Sequence, residues 1–277
     1  MADINNKKCL KKLNNGIKIP CLGLGVYLIN NTDSIKVFNE AIEIGYRLFD
    51  TATLYGNEKE VGEAIRMSGV AREEFFVTTK LWNSDQRGKS IVIKAFNRSF
   101  NLLNLDYIDL YLIHWPVPKE RITSWKTLES LLATEKVKSI GVSNYMIHHL
   151  EELLGESSVI PTINQIELHP FHFRKDLIDF CAKHKIQVQA YSPLTKAKLL
   201  NEPQLNEIAI KYNKSPAQIL IRWNLQHGTV VIPKASKEKH LKENFDVFNF
   251  QISPLDMKKL DSLNKRAIVS WDPTNLS

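Results

Sequence analysis

The 277-residue sequence predicts an α/β fold: a closed (β/α)8 TIM barrel preceded by a β-hairpin. Three observations carry this. Short β-branched or apolar runs recur along the whole chain, segments of helical period separate them, and an Asn-Gly pair stands before the first run. Strands alternating with helices imply a parallel sheet with helical crossovers. Eight such units in about 250 residues are accommodated most economically by a closed barrel, with an open doubly wound sheet as the alternative. No linker, literal repeat or domain boundary is visible, so residues 1–277 read as one domain.

In chain order, residues 9–20 (CLKKLNNGIKIP) read as a hairpin turning at Asn15-Gly16, placed to plug the bottom of the barrel. The strand runs are Leu22–Val26, Arg47–Asp50, Phe75–Thr79, Ile108–His114, Ser139–Val142, Thr162–Ile166, Gln187–Tyr191 and Thr229–Ile232. Apolar residues spaced three to five apart predict helices over Ser34–Ile44 and Ser90–Leu105. Glu151–Leu154, Asp176–His184, Pro203–Tyr212 and Pro216–Gln226 follow the same pattern. Asp33 and Ser215-Pro216 mark helix starts, the second as a cap followed by proline at the first helical position.

Composition limits the function classes. Apolar residues make up 43% and charged residues 24%, which excludes a disordered, collagenous or coiled-coil chain. The net charge of +7 favours anionic ligands. The excess is not concentrated enough to indicate nucleic acid; of the denser stretches, Lys7–Lys12 and Lys234–Lys242, the first reads as a solvated terminus. Cys9, Cys21 and Cys181 cannot pair fully, and a chain this long needs no staple, which suits a reducing compartment. The N-terminal MADINNKKCLKKL lacks an apolar secretory core, and no apolar run approaches the roughly 20 residues that span a bilayer. These features predict a soluble cytoplasmic protein without a membrane partner.

In barrels of this kind, chemistry gathers at the C-terminal ends of the strands. Asp50, Tyr55, Lys80, His114, Ser143-Asn144, Gln165, Tyr191-Ser192 and Lys234 fall there. Four of them form a proton-transfer set. A phenol has a pKa near 10, too high for ready donation at neutral pH. An ammonium beside Tyr55 would favour its phenolate, a carboxylate would fix that ammonium, and a histidine would orient a carbonyl oxygen. Tyr27, Trp82 and Trp115 could wall an apolar substrate pocket, with Trp271 folding over the mouth.

Neither GxGxxG nor GxxxxGK[ST] occurs: Gly23 and Gly25 are followed by Leu28. An anionic cofactor would bind instead where Ile232–His240 enters a helix, near Lys234, Lys237 and Lys239. Glu167, His169 and His172 match neither HExxH nor a cysteine-based zinc spacing, so no metal is expected. The sequence around Ser143 fails the GxSxG pattern.

The sequence resembles the aldo-keto reductases from end to end. The resemblance rests on GYRLFDTATLYGNEKEVGEAI (45–65), TTKLWN (78–83), LDYIDLYLIHWP (105–116), IGVSNY (140–145), NQIELHP (164–170), AYSPL (190–194), SPAQILIRWNLQ (215–226) and IPKAS (232–236). It is similar to the compact microbial members, such as 2,5-diketo-gluconate reductases and prostaglandin F synthase-like enzymes. The resemblance implies a monomeric, NADPH-dependent reductase of aldehydes and ketones. Tyr55 would donate the proton, Lys80 and Asp50 would tune it, and His114 would orient the carbonyl. Tyr191 would stack on the nicotinamide, and Ser143, Asn144 and Gln165 would hold its carboxamide. Ser192 and Leu194 would lie along the pyrophosphate, and Lys234, Ser236, Glu243 and Asn244 near the adenosine. Tyr27 and Asp50 would border the cofactor, while Tyr27, Tyr55, Trp82, His114 and Trp115 would meet the substrate.

Two positions depart from the family pattern. Ala235 replaces the serine that often follows the IPK lysine, and His240 replaces an arginine that meets the adenosine 2′-phosphate. A histidine lacks arginine's permanent charge and bidentate fork. The preference for NADPH is therefore weaker than the family pattern implies and admits NADH, with Lys237 and Lys239 as partial substitutes. The alternatives are a non-catalytic cofactor-binding relative and a lyase using Lys80 as a Schiff-base nucleophile.

Overall fold

A computed structural model describes residues 6, 9–29 and 33–276. The N-terminal leader reading, Lys7 and Lys8 of the first basic stretch, and residues 30–32 lie wholly or partly outside it. Strands β1 (Leu10–Lys12) and β2 (Lys18–Pro20) pair antiparallel, with Leu10 opposite Pro20. Their turn uses Gly16 at φ +89°, a conformation that glycine adopts without a Cβ penalty. Lys11 and Lys12 thus belong to a strand rather than to a loose terminus.

The barrel strands follow: β3 (Leu24–Gly25), β4 (Leu48–Asp50), β5 (Phe76–Leu81), β6 (Ile108–Ile113), β7 (Val137–Ser143), β8 (Ile163–Glu167), β9 (Gln187–Tyr191) and β10 (Val230–Val231). They form one parallel eight-stranded sheet in sequence order. A parallel bridge between Leu22 and Val231 closes it, supported by Gly23 N–H to Val231 O at 2.9 Å. Each predicted run overlaps one of these strands, and β5, β7 and β8 extend beyond the predicted bounds. β5 and β6 are buried throughout, which explains why they read as continuous apolar runs.

The helices are α1 (Ser34–Ile44), α2 (Glu58–Met67), α3 (Lys89–Leu103), α4 (Arg121–Leu132), α5 (Ile147–Glu156), α6 (Lys175–Lys183), α7 (Pro203–Lys211), α8 (Pro216–Gln226), α9 (Glu238–Phe245) and α10 (Pro254–Asp261). α1 and α8 have the boundaries that the apolar spacing and caps predict. Ser215 and Gln218 form a reciprocal capping box at the start of α8. α2, α4 and α10 escape the periodicity reading. In α4, Arg121, Ser124 and Thr127 are buried beside Trp125 and Leu128, so its inner face is not marked by apolar residues alone.

Two cores result. The larger lies between strands and helices. The smaller fills the barrel and joins Leu48, Phe76, Leu110, Leu112 and Ile163 to Leu13 and Ile19 of the hairpin. Asn14 Nδ2 donates to Pro161 O at 3.0 Å and Asn15 Nδ2 to Ser139 Oγ at 3.0 Å. The hairpin therefore plugs the N-terminal ends of the strands and leaves the opposite mouth for chemistry.

The cysteines depart from the expectation of a chain without a staple. Cys9 and Cys21 are joined by a disulfide with their Cα atoms 5.5 Å apart, while Cys181 is free and buried. Hairpin pairing forces the match, since Cys21 N–H also donates to Cys9 O at 2.9 Å. Among the described residues, no helix is long and apolar enough to cross a membrane.

Candidate active site

Strand register brings the proton-transfer set together. Asp50 ends β4 opposite Thr78 of β5. Alternation then points Lys80, two residues on, to the same inner face. Lys80 pairs with Leu112 of β6, and His114 lies two residues beyond Leu112. Lys80 lies inside β5, one residue before its end, rather than just after the strand as predicted.

Lys80 Nζ donates to Asp50 Oδ1 at 2.5 Å, to Thr51 O at 2.8 Å and to Tyr55 Oη at 3.4 Å. The lysine is fully buried. Burial lowers its pKa, against the Asp50 charge that raises it. Asp50 is pushed upward by burial against the counteracting lysine. Tyr55 sits in a short 3-10 turn, Thr53–Tyr55, pinned by Thr53 Oγ1 donating to Lys80 O at 2.9 Å. Burial, and then the Asp50 carboxylate, hold the phenol well above its ordinary pKa, so it is protonated. His114 is pushed well below its ordinary value by burial and by Lys80, so its ring is neutral. Its ring centroid lies 5.9 Å from that of Tyr55.

A polar chain crosses the barrel behind this set. Gln165 Nε2 donates to Asp50 Oδ2 at 2.6 Å and to Gln189 Oε1 at 2.8 Å. Ser143 Oγ donates to Gln165 O at 2.9 Å, and Asn144 Nδ2 donates to His114 O at 2.9 Å. Tyr191 Oη donates to Asn144 Oδ1 at 2.8 Å. Asn144 occupies the left-handed region at φ +64°, which turns the chain sharply at the end of β7.

The aromatic residues meet at the mouth. Tyr27 packs on Tyr55 at 5.0 Å and Trp82 against His114 at 5.1 Å. Trp115 is buried, and Trp271 of the C-terminal tail lies 5.7 Å from it. Glu167 accepts N–H bonds from Val269 at 2.7 Å and Ser270 at 2.9 Å, which holds that tail in place. His169 Nε2 lies 3.1 Å from Glu167 Oε1, while Arg174 Nε donates to His172 Nε2 at 2.9 Å. Among the described residues, no group of three His, Cys, Asp or Glu side chains is arranged to hold a metal.

The predicted cofactor positions occupy one side of the same mouth and its outer rim. Ser192, at φ +48°, and Leu194 are half-buried after β9. Lys234, Ser236 and His240 are exposed around the start of α9, with Lys234 Nζ donating to Ser236 Oγ at 3.2 Å. Glu243 is half-buried, Asn244 is buried in the last turn of α9, and Ala235 is buried. Sequence reasoning missed Thr51, Gln189 and Glu58. Glu58 is buried, with Thr79 Oγ1 donating to its Oε1 at 2.5 Å. A buried carboxylate in a charged GNEKEVGE run carries no periodic signal, though an acid so near the Tyr55 block was a visible clue.

The aldo/keto reductase family model matches residues 22–265. The chain is 48% identical over 269 residues, 96% of each chain, to a glyoxal reductase of Bacillus subtilis (strain 168). It is 47% identical to a 9,11-endoperoxide prostaglandin H2 reductase of Trypanosoma cruzi (strain CL Brener), over 98% of this chain and 96% of that one. A crystal structure of an aldo-keto reductase from a Medee basin deep-sea metagenome library superimposes with a TM-score of 0.93 at 42% identity, covering 96% of this chain and 99% of that one. The family match and these relatives show that the chain belongs to the aldo/keto reductase family and is an oxidoreductase.

Proposed function

We propose that the protein reduces small aldehydes and ketones with NADPH, with a cofactor preference relaxed enough to admit NADH, using Tyr55 as the proton donor. The observation that carries this reading is the buried Lys80 ammonium, 2.5 Å from Asp50 and 3.4 Å from the Tyr55 hydroxyl. The donor set also fits a nicotinamide: an aromatic ring, Tyr191, stands beside the Ser143, Asn144 and Gln165 polar groups. Those residues, with Asp50 and Tyr27 at the border, would hold the nicotinamide end. Ser192 and Leu194 would lie along the pyrophosphate, and Lys234, Ser236, His240, Glu243 and Asn244 would hold the adenosine end. When bound, the cofactor supplies a hydride to the carbonyl carbon.

The chain's own residues handle the proton and the orientation. Neutral His114 offers an N–H to the carbonyl oxygen and aims it at Tyr55. Tyr55 Oη gives its proton to that oxygen as negative charge develops there. Lys80 stabilises the phenolate left behind, and Asp50 holds the ammonium in place. Solvent then reprotonates Tyr55. Trp82, Trp115 and Tyr27 exclude water from the carbonyl. At rest, burial and the Asp50 carboxylate hold the phenol above its ordinary pKa, the opposite of the lowering expected from Lys80, so the ammonium acts on the phenolate that forms during transfer rather than on the resting hydroxyl.

The names of the relatives point toward glyoxal-like dicarbonyls. The reading is of one barrel domain working as a cytoplasmic monomer. The test is a titration with NADPH and NADH by tryptophan quenching, followed by phenylglyoxal and the nicotinamide absorbance. Cofactor consumption supports the reading. Similar affinities for the two cofactors trace to His240. Binding of neither overturns it, and cofactor binding without turnover favours a non-catalytic relative.

A further inference from the structure

Asn57 stands at the N-cap position of α2, where an asparagine ordinarily accepts a bond from the helix's first free N–H groups. Here it makes no such cap. Its side chain, fully buried, turns to the loop after β3 instead. Nδ2 donates to Val26 O at 2.9 Å and to Ile29 O at 2.8 Å, and Oδ1 accepts from Thr51 Oγ1 at 2.6 Å. The amide orientation is forced, since two carbonyls can only accept.

The loop it grips is unfavourable by itself. Leu28 is exposed and adopts φ +59°, a conformation disfavoured for a residue with a Cβ. Its neighbour Tyr27 is 42% exposed and packs its ring on Tyr55. On the other side, the Thr51 carbonyl accepts the Lys80 ammonium. One amide therefore ties the strand end that holds Lys80 to the loop that carries the aromatic wall over Tyr55.

We propose that Asn57 is a positioning residue that sets the Tyr27 wall, and thereby determines how tightly the site grips the non-reacting part of a carbonyl substrate. The proposal rests on the reductase reading above. Asn57 has no exposed surface, so it acts through Tyr27 rather than by touching substrate. A wall that binds substrate and transition state alike governs KM more than kcat.

The test is a double-mutant cycle of Asn57→Ala and Tyr27→Ala, with phenylglyoxal and the smaller methylglyoxal as probes. Asn57→Ala should raise KM for phenylglyoxal about tenfold, the scale of one lost net hydrogen bond or somewhat more. KM for methylglyoxal and kcat for both should stay within about twofold, as expected when only uniform binding is lost. In the Tyr27→Ala background, Asn57→Ala should raise KM no further. Equal loss for both substrates, a loss confined to kcat, or an undiminished effect without Tyr27 overturns the role. If Asn57→Ala does not fold, Thr51→Val removes only the hydroxyl bond, and the same split and the same dependence on Tyr27 are required of it. Absence of wild-type turnover refutes the reductase reading and this role with it; wild-type turnover with additive variants refutes this role alone.

Discussion

Replacing Asp50 with Asn tests the electrostatic heart of the site without any ligand. Asn keeps the size of the side chain and removes the charge that faces Lys80 Nζ at 2.5 Å. Two unit charges at that distance attract by about 6–7 kcal/mol at an effective dielectric near 20. The side chains are 0% and 3% exposed, so water cannot replace the lost partner. Removing one member of such a pair costs about 3–5 kcal/mol, because the other is left buried and uncompensated. For a chain of this size, that lowers the melting temperature by roughly 5–9 °C. The Asp50→Asn, Lys80→Met double variant removes both charges and should recover most of the loss. Asp50 also raises the Lys80 pKa against burial. Without it the ammonium loses its proton at lower pH, so the alkaline limb of activity moves down. Calorimetry of the three proteins reads the result. A loss under about 1 kcal/mol for Asp50→Asn, or no recovery in the double variant, refutes the argument, since a buried ion pair behaves otherwise.

Three further outcomes follow from the fold. Gly62→Ala places a Cβ 1.8 Å from Leu103 O, so α2 must move off the end of α3; a loss above about 2 kcal/mol by denaturant titration is expected. His149 accepts Met146 N–H at Nδ1 and bonds Leu276 O through Nε2. Burial lowers its pKa from 6.5 to about 4. The unfolded chain therefore takes up the proton first: stability falls as pH drops from 6.5 to about 4 and is unaffected above that range. His149→Gln should flatten this acid slope, and an unchanged slope contradicts the assignment. Thiol titration of the air-oxidised, denatured chain should find Cys181 alone, and three thiols after reduction, with a stability loss of about 3 kcal/mol for a loop this short.

The barrel was legible because its strands are buried on both faces and its caps are local. FVTTKL and IDLYLI announce themselves as apolar runs, and Ser215-Pro216 fixes the start of α8 within four residues of chain. α4 was not legible, because Arg121, Ser124 and Thr127 are buried through partners that only the fold supplies, such as Glu152 for Arg121. At the site, the positions of Asp50, Lys80 and His114 followed from strand ends, whereas their contacts required register across β4, β5 and β6. Gln165 reaching Asp50 across 115 residues leaves no local trace. Nor does the turn of Asn57 away from its own helix, since its sequence position suggests an ordinary cap. The disulfide was misread because chain length argued against needing one, while hairpin pairing decided the matter.

The central claim is that the Tyr55 hydroxyl delivers the proton to the carbonyl oxygen. The most direct measurement is single-turnover reduction of phenylglyoxal by NADPH-saturated wild type and Tyr55→Phe, with cofactor affinity measured in parallel by tryptophan quenching. The account predicts equal affinity and a rate at least about 100-fold lower in the variant, the usual scale of a lost general acid. A variant that keeps the wild-type rate, or a wild type that binds the cofactor and never oxidises it, would contradict the account.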